Sequence, residues 1–261
     1  MYRKDINIGG WFSFNATKQD WKDHYAEKML NHFFDKQGIS NSFRGVSIDE
    51  ELLLTENLNF SNLENKKVLV IGGGPSTQKL NNKTLNNYDY LFSCNHFYRN
   101  SFLRNKQVNL VLVGDEVDLN DSEFIAYIKE FSPVLGFEHS SRRSTHDIIK
   151  FKRKYPKTFV YLTRYFSRLG YVARACVLAK QMKARQIDFV GLDGFRNNRH
   201  AFERVKNAPS FNDEELFKEQ MKIFCKYMLE GLSPEQFNNL SENSDDSIYK
   251  GILTEIKNEK N

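Results

Sequence analysis

From residue 67 onward, short apolar runs alternate with longer segments whose apolar residues recur every three or four positions. Short unbroken apolar runs are typical of strands buried on both faces of a parallel sheet, and the wider spacing is typical of amphipathic helices. The predicted strands are Val68–Gly72, Tyr88–Cys94, Leu110–Val113, Val134–Phe137, Phe159–Leu162 and Ile187–Gly191. The predicted helices are Ser122–Phe131, Thr145–Tyr155, Arg168–Met182 and Asp213–Leu229. The pattern predicts an α/β fold with a mostly parallel sheet flanked by helices.

Three segments are predicted along the chain. Residues 1–66 form an N-terminal helical extension, in which Lys18–Phe34 has the apolar spacing of an amphipathic helix. Residues 67–240 form the α/β domain, and residues 241–261, rich in Lys, Glu and Asn, are expected to be a frayed C-terminal tail.

The chain has 261 residues and three widely separated cysteines, Cys94, Cys176 and Cys225, with no Cys-x-x-Cys pair. Buried free thiols in a reducing compartment are expected. Neither a signal peptide nor a membrane-spanning apolar run is visible, so a cytoplasmic protein is predicted. Peripheral membrane contact and homo-oligomerisation are left open.

Basic residues are concentrated between His139 and Lys206, a segment that contains 17 Lys and Arg but only 4 Asp and Glu. Such a segment is usually a solvated face, but it also suits an anionic ligand such as a nucleotide or an acidic sugar. No nucleic-acid partner is expected, because no RNA-binding aromatic signature accompanies the charge.

Three consecutive glycines follow the first predicted strand, in the stretch Gly72-Gly73-Gly74-Pro75-Ser76-Thr77. Glycines would let a ligand approach the backbone, and a helix capped by Ser76 or Thr77 would offer free N–H groups to a phosphate. A dinucleotide site is rejected, because Thr77 replaces the third glycine of Gly-x-Gly-x-x-Gly and Asn95 replaces the ribose-binding acid. A mononucleotide or nucleotide-sugar site remains.

Ligands of open parallel sheets bind beyond the carboxyl ends of the strands, which selects further candidate residues. Asn95, followed by His96 and Tyr98, would either contact the nucleotide or cap the next helix. Asp193 would be either a ligand contact or an anchor for loop N–H groups. Arg168, at a helix N-terminus in the basic segment, is the best candidate ligand for a phosphate or carboxylate.

Two histidines, His139 and His200, lie beyond strand ends in polar surroundings that suit a general base. Asp115 and Glu116 would need Asp193 or another carboxylate to converge on a divalent metal, so no metal site is predicted.

Three motifs in this order resemble the bacterial sialyltransferases of glycosyltransferase family 42. They are Gly-x-Gly-Pro-Ser after the first strand, Cys94-Asn95-His96-Phe97-Tyr98 after the second, and an Arg-led helix running into the strand that ends at Asp193. The resemblance spans Lys67 to Phe202. It implies a Rossmann-like domain and metal-independent, inverting transfer from a cytidine-monophosphate sugar donor.

Carried onto this chain, the resemblance implies that Gly72, Gly74, Pro75 and Ser76 hold the donor phosphate and ribose, that Asn95 contacts the nucleotide, and that Arg168 is the family's arginine. Three departures are visible. Gly73 replaces an asparagine, His200 replaces a tyrosine that steadies the leaving phosphate, and residues 201–261 lack the histidine that serves the family as general base. A base would come from His200, His139 or a carboxylate such as Asp115.

A second group begins with the same Gly-x-Gly-Pro-Ser motif and has an Asp after its third strand, as Asp115 does here. This group comprises the motility accessory factors and the hydroxymethylpterin diphosphokinases. It implies flagellin glycosylation or the Mg-ATP-dependent transfer of a pyrophosphoryl group to a pterin, for which Asp115 and Asp193 would be metal ligands. A non-catalytic nucleotide-binding module is the third alternative. The Cys-Asn-His-Phe-Tyr block favours a sialyltransferase-like enzyme of surface-polysaccharide synthesis, needing no cofactor beyond its CMP-sugar donor and acting on a glycan acceptor.

Overall fold

The computed structural model describes residues 34–35, 38–39, 42–43, 46–47, 63–138, 145–161, 169–193, 214–241 and 248–259. Its centre is a seven-stranded, wholly parallel sheet in the order β7-β6-β1-β2-β3-β4-β5. The strands are β1 (Lys67–Ile71), β2 (Tyr90–Cys94), β3 (Leu110–Val113), β4 (Val134–Glu138), β5 (Thr158–Tyr161), β6 (Gln186–Val190) and β7 (Phe237–Asn239). The α-helices are α1 (Asn82–Leu85), α2 (Ser122–Phe131), α3 (Thr145–Lys154), α4 (Gly170–Gln181), α5 (Glu214–Met228) and α6 (Ile248–Glu259). The 3-10 helices are Pro75–Lys79, Phe97–Arg99 and Pro234–Gln236.

Successive residues of the central strands enter two different apolar cores. In β1, Val68 and Val70 join the core beneath α4, α5 and α6, whereas Leu69 and Ile71 join the core beneath α2 and α3. Helices therefore cover both faces of the sheet, which is why the strands read as unbroken apolar runs. The α/β, Rossmann-like prediction is confirmed.

The chain changes direction within the sheet at β1. From β1 it passes through α1, whose Leu85 packs on one face, to β2 on one side of β1. From β6, the neighbour on the other side, it passes to α5, whose Phe217 packs on the opposite face. Connections that leave adjacent strands for opposite faces open a crevice at their carboxyl ends, the usual ligand position in such sheets.

All six predicted strands are present within two residues of their predicted bounds, and α2 has the bounds predicted for it. The apolar spacing within Arg168–Met182 also predicts which face of α4 packs on the sheet, and the structure confirms it. The residues of this face are all buried: Leu169, Val172, Ala173, Cys176 and Ala179.

The described part of the C-terminal tail beyond Ser241 is a helix, contrary to the prediction of a frayed tail. Residues 248–259 form helix α6, whose Tyr249, Ile252 and Ile256 are buried in the core shared with α5. The tail prediction was wrong because it gave the polar residues after Ile256 more weight than the helical spacing of Tyr249, Ile252 and Ile256. Strand β7 was missed because Phe237 is its only apolar residue.

The predicted helix Lys18–Phe34 lies outside the described residues except for Phe34, which belongs to a short strand. Two antiparallel pairs of two-residue strands occur in this region, Phe34–Asp35 with Gly38–Ile39 and Ser42–Phe43 with Val46–Ser47. In the described part of the chain, no helix is both long and apolar enough to span a membrane.

Candidate active site at the carboxyl ends of the strands

The glycine loop after β1 packs directly against the end of β6. The N–H of Gly72 donates to the carbonyl of Val190 (2.8 Å), and that of Gly74 donates to the carbonyl of Gly191 (3.0 Å). A Cβ on Gly72 would lie 2.6 Å from the Gly191 oxygen, and one on Gly74 2.8 Å from it. Glycine is therefore required at 72 and 74 because two segments of the backbone pack closely there. The predicted contact of Gly72 and Gly74 with a donor remains a prediction.

Asp193 anchors the same loop, which is one of the two roles that the sequence left open for it. Its Oδ2 accepts the N–H of Ser76 at 2.8 Å. The Ser76 hydroxyl faces inward as well: it donates to Ser241 Oγ (3.0 Å) and accepts the N–H of Gly191 (3.0 Å). The loop is thus held by residues from the end of β6 and from just after β7.

The prediction that Ser76 or Thr77 caps a helix was wrong. The segment after the loop is the 3-10 helix Pro75–Lys79, its N-cap is Gly74, and no side chain caps it. Proline occupies the first helical position, where its missing N–H costs nothing. The N–H of Ser76, expected to meet a phosphate, instead meets the chain's own carboxylate.

Helix α4 supplies a stronger positive end beside the loop. It has 12 residues, no acidic residue in its first turn, and at its N-cap Leu169, whose side chain has no oxygen to cap it. A Cβ on Gly72 would meet Val172 and one on Gly114 would meet Tyr171, so the first turn of α4 lies over the ends of β1 and β3. Exposed N–H groups at such a helix end favour an anion.

Asn95 ties the end of β2 to the loop after β3. Its Oδ1 accepts the N–H of Gly114 at 2.8 Å, and its Nδ2 donates to the carboxylate of Glu116. His96, not Asn95, occupies the N-cap position of the next 3-10 helix, and no side chain caps it, so the capping alternative for Asn95 was wrong. The residue has a φ of +50°, a left-handed conformation that asparagine tolerates better than most side chains. Its predicted nucleotide contact remains a prediction.

A cavity of about 710 Å³ adjoins Glu116. It lies between the loop after β3 and helix α3, with exposed Asp115 in its wall. Its wall mixes carboxylates, lysines and aromatic rings, among them Asp118, Lys129, Asp147, Lys150, Lys154, Phe151 and Tyr155.

A chain of polar contacts extends from His96 to the N-cap of α2. His96 Nδ1 lies 3.2 Å from the hydroxyl oxygen of Tyr98, and the Tyr98 hydroxyl donates to Asp121 Oδ2 at 3.0 Å. Arg99 donates to the same carboxylate oxygen at 2.5 Å. Burial and the charge of Arg99 lower the pKa of His96, against the opposing effects of Glu116 and Asp121.

Sequence reasoning named His96 among the residues after the second strand but did not consider it as a base. The available signal was its position directly after a buried strand, next to Asn95. His139, Arg168 and His200, the three residues predicted to be catalytic, lie outside the described residues. Their roles remain predictions. Among the described residues, no group of three or more His, Cys, Asp or Glu is placed to hold a metal ion.

The three cysteines are buried in the described structure, as predicted. Burial raises the pKa of the Cys94 and Cys176 thiols, which keeps both protonated.

No protein-family model and no curated protein sequence matches this chain. Among solved structures, it is similar to the sialyltransferase CstII from Campylobacter jejuni in complex with the substrate analogue CMP-3FNeuAc. The identity is 17%, the TM-score is 0.47, and the match covers 69% of this chain and 83% of that one. CstII in complex with cytidine-5'-monophosphate gives 17% identity and a TM-score of 0.44, over 70% and 89% of the two chains.

A mammalian sialyltransferase is similar at 11% identity and a TM-score of 0.42, over 93% of this chain and 92% of the other. Since all three TM-scores lie below 0.5, the fold is assigned from the sheet topology of the chain itself.

Proposed function

We propose that this chain is a sialyltransferase-like glycosyltransferase, which transfers an acidic sugar from a CMP-activated donor to a surface-glycan acceptor. One observation carries the proposal. The Gly-x-Gly-Pro-Ser loop and the Cys-Asn-x-Phe-Tyr block follow the adjacent strands β1 and β2, at the point where the chain changes direction within the sheet. Ligands of open parallel sheets bind at that point.

The donor phosphate is proposed to bind at the first turn of α4. The helix N-terminus and Arg168, two positions before Gly170, would act on the same anion. The glycine loop, fixed by Asp193, would form the opposite wall through its backbone. A loop that is already hydrogen-bonded loses little conformational entropy when a ligand binds.

The acceptor is proposed to lie in the cavity between the loop after β3 and α3. Carboxylates and lysines can exchange hydrogen bonds with sugar hydroxyls, and the half-buried ring of Tyr155 can stack on a sugar ring. Glu116 belongs to this cavity and also accepts from Asn95, so the cavity adjoins the proposed donor site.

The reaction requires no metal or cofactor in this proposal. The acceptor oxygen forms a bond to the anomeric carbon as the bond from that carbon to the donor phosphate breaks. The electron pair of the broken bond leaves with CMP, and the helix amides and Arg168 stabilise its charge. A base takes the acceptor proton, and the sequence offers His200, His139 or Asp115 for this step.

A ligand screen by thermal shift tests the donor assignment. CMP and CDP should raise the melting temperature without Mg²⁺. A ligand at a concentration 100 times its Kd raises the free energy of unfolding by roughly 2.7 kcal/mol. UDP, GDP and ATP serve as matched comparisons. Stabilisation only by ATP with Mg²⁺ would instead support the diphosphokinase alternative, with Asp115 and Asp193 as metal ligands.

Turnover of a CMP-sugar tests the enzyme assignment separately. Arg168→Ala should abolish donor consumption without changing the melting temperature. Unchanged turnover would remove Arg168 from the mechanism. CMP binding without donor consumption in the native protein would favour the non-catalytic module.

A further inference from the structure

We propose that His96 is the general base of this transfer and that its Nε2 takes the proton of the acceptor hydroxyl. The inference rests on the proposed function and assigns the step for which the sequence suggested His139 or His200. It is carried by the contacts of the described residues around the end of β2.

His96 follows the end of β2, next to a residue that contacts the wall of the proposed acceptor cavity. It directly follows Asn95, whose amide binds Gly114 and the carboxylate of Glu116 at the end of β3. Glu116 is part of the wall of the acceptor cavity. His96 is half-buried, so it is not sealed within the core.

The hydrogen bonds around Tyr98 define which ring nitrogen carries the proton. The single hydroxyl proton of Tyr98 goes to the Asp121 carboxylate, since a charged oxygen is a stronger acceptor than a neutral imidazole nitrogen. The Tyr98 oxygen can then only accept from His96 Nδ1, 3.2 Å away. The proton of the neutral ring therefore lies on Nδ1, and Nε2 keeps a free lone pair.

The charges around His96 suit a base that is neutral before the reaction and charged afterwards. Burial, followed by the positive charge of Arg99, lowers the pKa of His96, and the ring is therefore uncharged near neutral pH. Glu116 and Asp121 act in the opposite direction and would stabilise the imidazolium once a proton arrives. Arg99 is itself paired with Asp121 at 2.5 Å and with Glu123 at 3.5 Å, which reduces its repulsion.

Atoms and electrons balance in this step. The acceptor O–H bond breaks and its proton moves to Nε2, while the oxygen lone pair forms the new glycosidic bond. The bond from the anomeric carbon to the phosphate breaks, and its electron pair leaves on CMP. The proton on His96 is later lost to solvent, which restores the resting tautomer.

His96→Gln is the first test, with His146→Gln as the matched control because His146 is exposed on α3. His96→Gln should lower kcat by about 10²- to 10⁴-fold, the usual contribution of a general base. The thermal shift caused by CMP should be unchanged, because the base contacts the acceptor and not the nucleotide. The acid limb of the kcat/KM profile should disappear in His96→Gln and remain in the control.

Tyr98→Phe tests the positioning role of the hydroxyl. Without an acceptor for Nδ1–H, the imidazolium loses a stabilising contact, so the acid limb should move to lower pH. The rate should fall by roughly tenfold, less than in His96→Gln, because the base itself remains. A purely structural role of Tyr98 would change stability without moving the pH profile.

Nitrogen-15 NMR of the native protein gives a readout that needs no activity. The His96 ring should be protonated on Nδ1 at neutral pH. Protonation on Nε2 would overturn the proposal, as would an active native enzyme whose His96→Gln variant keeps both its rate and its acid limb. If the native protein neither binds CMP nor consumes any CMP-sugar, the proposed function itself fails, and the role of His96 as its base fails with it.

Discussion

Two tyrosine–aspartate pairs flank strand β2, and they differ in what lies beyond them. Tyr88, just before the strand, donates to Asp188 at 2.5 Å, and Tyr98, just after it, donates to Asp121 at 3.0 Å. In both pairs, burial, then the hydrogen bond and charge of the aspartate, raise the pKa of the tyrosine hydroxyl. The local chemistry of the two pairs is therefore the same.

The Asp188 pair is closed. Asp188 lies within β6 and is only 3% exposed. Besides Tyr88, its carboxylate accepts from Gln186 Nε2 (2.7 Å) and from Asn238 Nδ2 (2.9 Å). Asn238 belongs to the edge strand β7, so this carboxylate holds the last strand onto the sheet.

The Asp121 pair is open at one end. Asp121 caps α2 and accepts a hydrogen bond from Arg99. The Tyr98 hydroxyl, which Asp121 orients, also contacts Nδ1 of His96. His96 follows the carboxyl end of β2, at the edge of the sheet where the donor and acceptor are proposed to meet. A buried carboxylate thus stabilises the fold where all its partners are structural, and can orient a reactive group where the chain of contacts ends in a histidine.

Asp188→Ala should produce the largest loss of stability among the changes that break this comparison. It leaves three donors without their shared acceptor, and each unsatisfied group costs about 1–3 kcal/mol, reduced here by partial exposure to water. We expect the free energy of unfolding to fall by about 2–4 kcal/mol, measured by urea denaturation. The control is Glu130→Ala, since Glu130 is an exposed carboxylate. A loss as small as that of the control would show that Asp188 does not hold β7.

Tyr88→Phe and Tyr98→Phe sharpen the comparison, because each removes one hydroxyl from an otherwise similar pair. Each should lower the free energy of unfolding by about 0.5–1.5 kcal/mol, the usual net value of one hydrogen bond. Only Tyr98→Phe should also change the pH profile of activity. If both variants change it equally, the distinction between a closed and an open pair is wrong.

The smallest expected effect is an acid dependence of stability that comes from the open pair. The folded-state pKa of His96 is lower than its ordinary value of 6.5, so the unfolded chain binds this proton more readily. The corresponding stability is present above pH 6.5 and is lost as the pH falls through the folded-state pKa. In His96→Gln, the urea concentration at the unfolding midpoint should change less with pH in this window. In Tyr88→Phe, its change with pH should be the same as in the native protein.

The sheet could be predicted from sequence because its strands are buried on both faces. Runs such as Val68–Ile71 and Leu110–Val113 need no information from distant residues. Strand β7 could not be predicted in this way, since Phe237 is its only apolar residue and the bond between Asn238 and Asp188 joins positions far apart in sequence.

The positions of the candidate site were predictable, but the partners of its residues were not. Strand ends identified Asn95, Asp115 and Asp193 correctly as residues at the carboxyl edge. Asp193 binds the backbone of Ser76, which leaves less room for a phosphate there. This contact joins residues 117 positions apart, so the sequence pattern could not predict it. The orientation of His96 likewise depends on Tyr98 and Asp121, which no spacing rule connects to it.

The anchoring of the glycine loop has a consequence for synthesis on the ribosome. The loop is translated early, but Asp193 follows Ser76 by 117 residues and Ser241 follows it by 165. Strand β1 also waits for β6, its neighbour on one side, so one edge of the central strand stays unpaired while most of the domain is made. Open strand edges are prone to wrong pairing in nascent chains. Slower elongation before β6 would therefore lengthen the period in which this protein can misassemble.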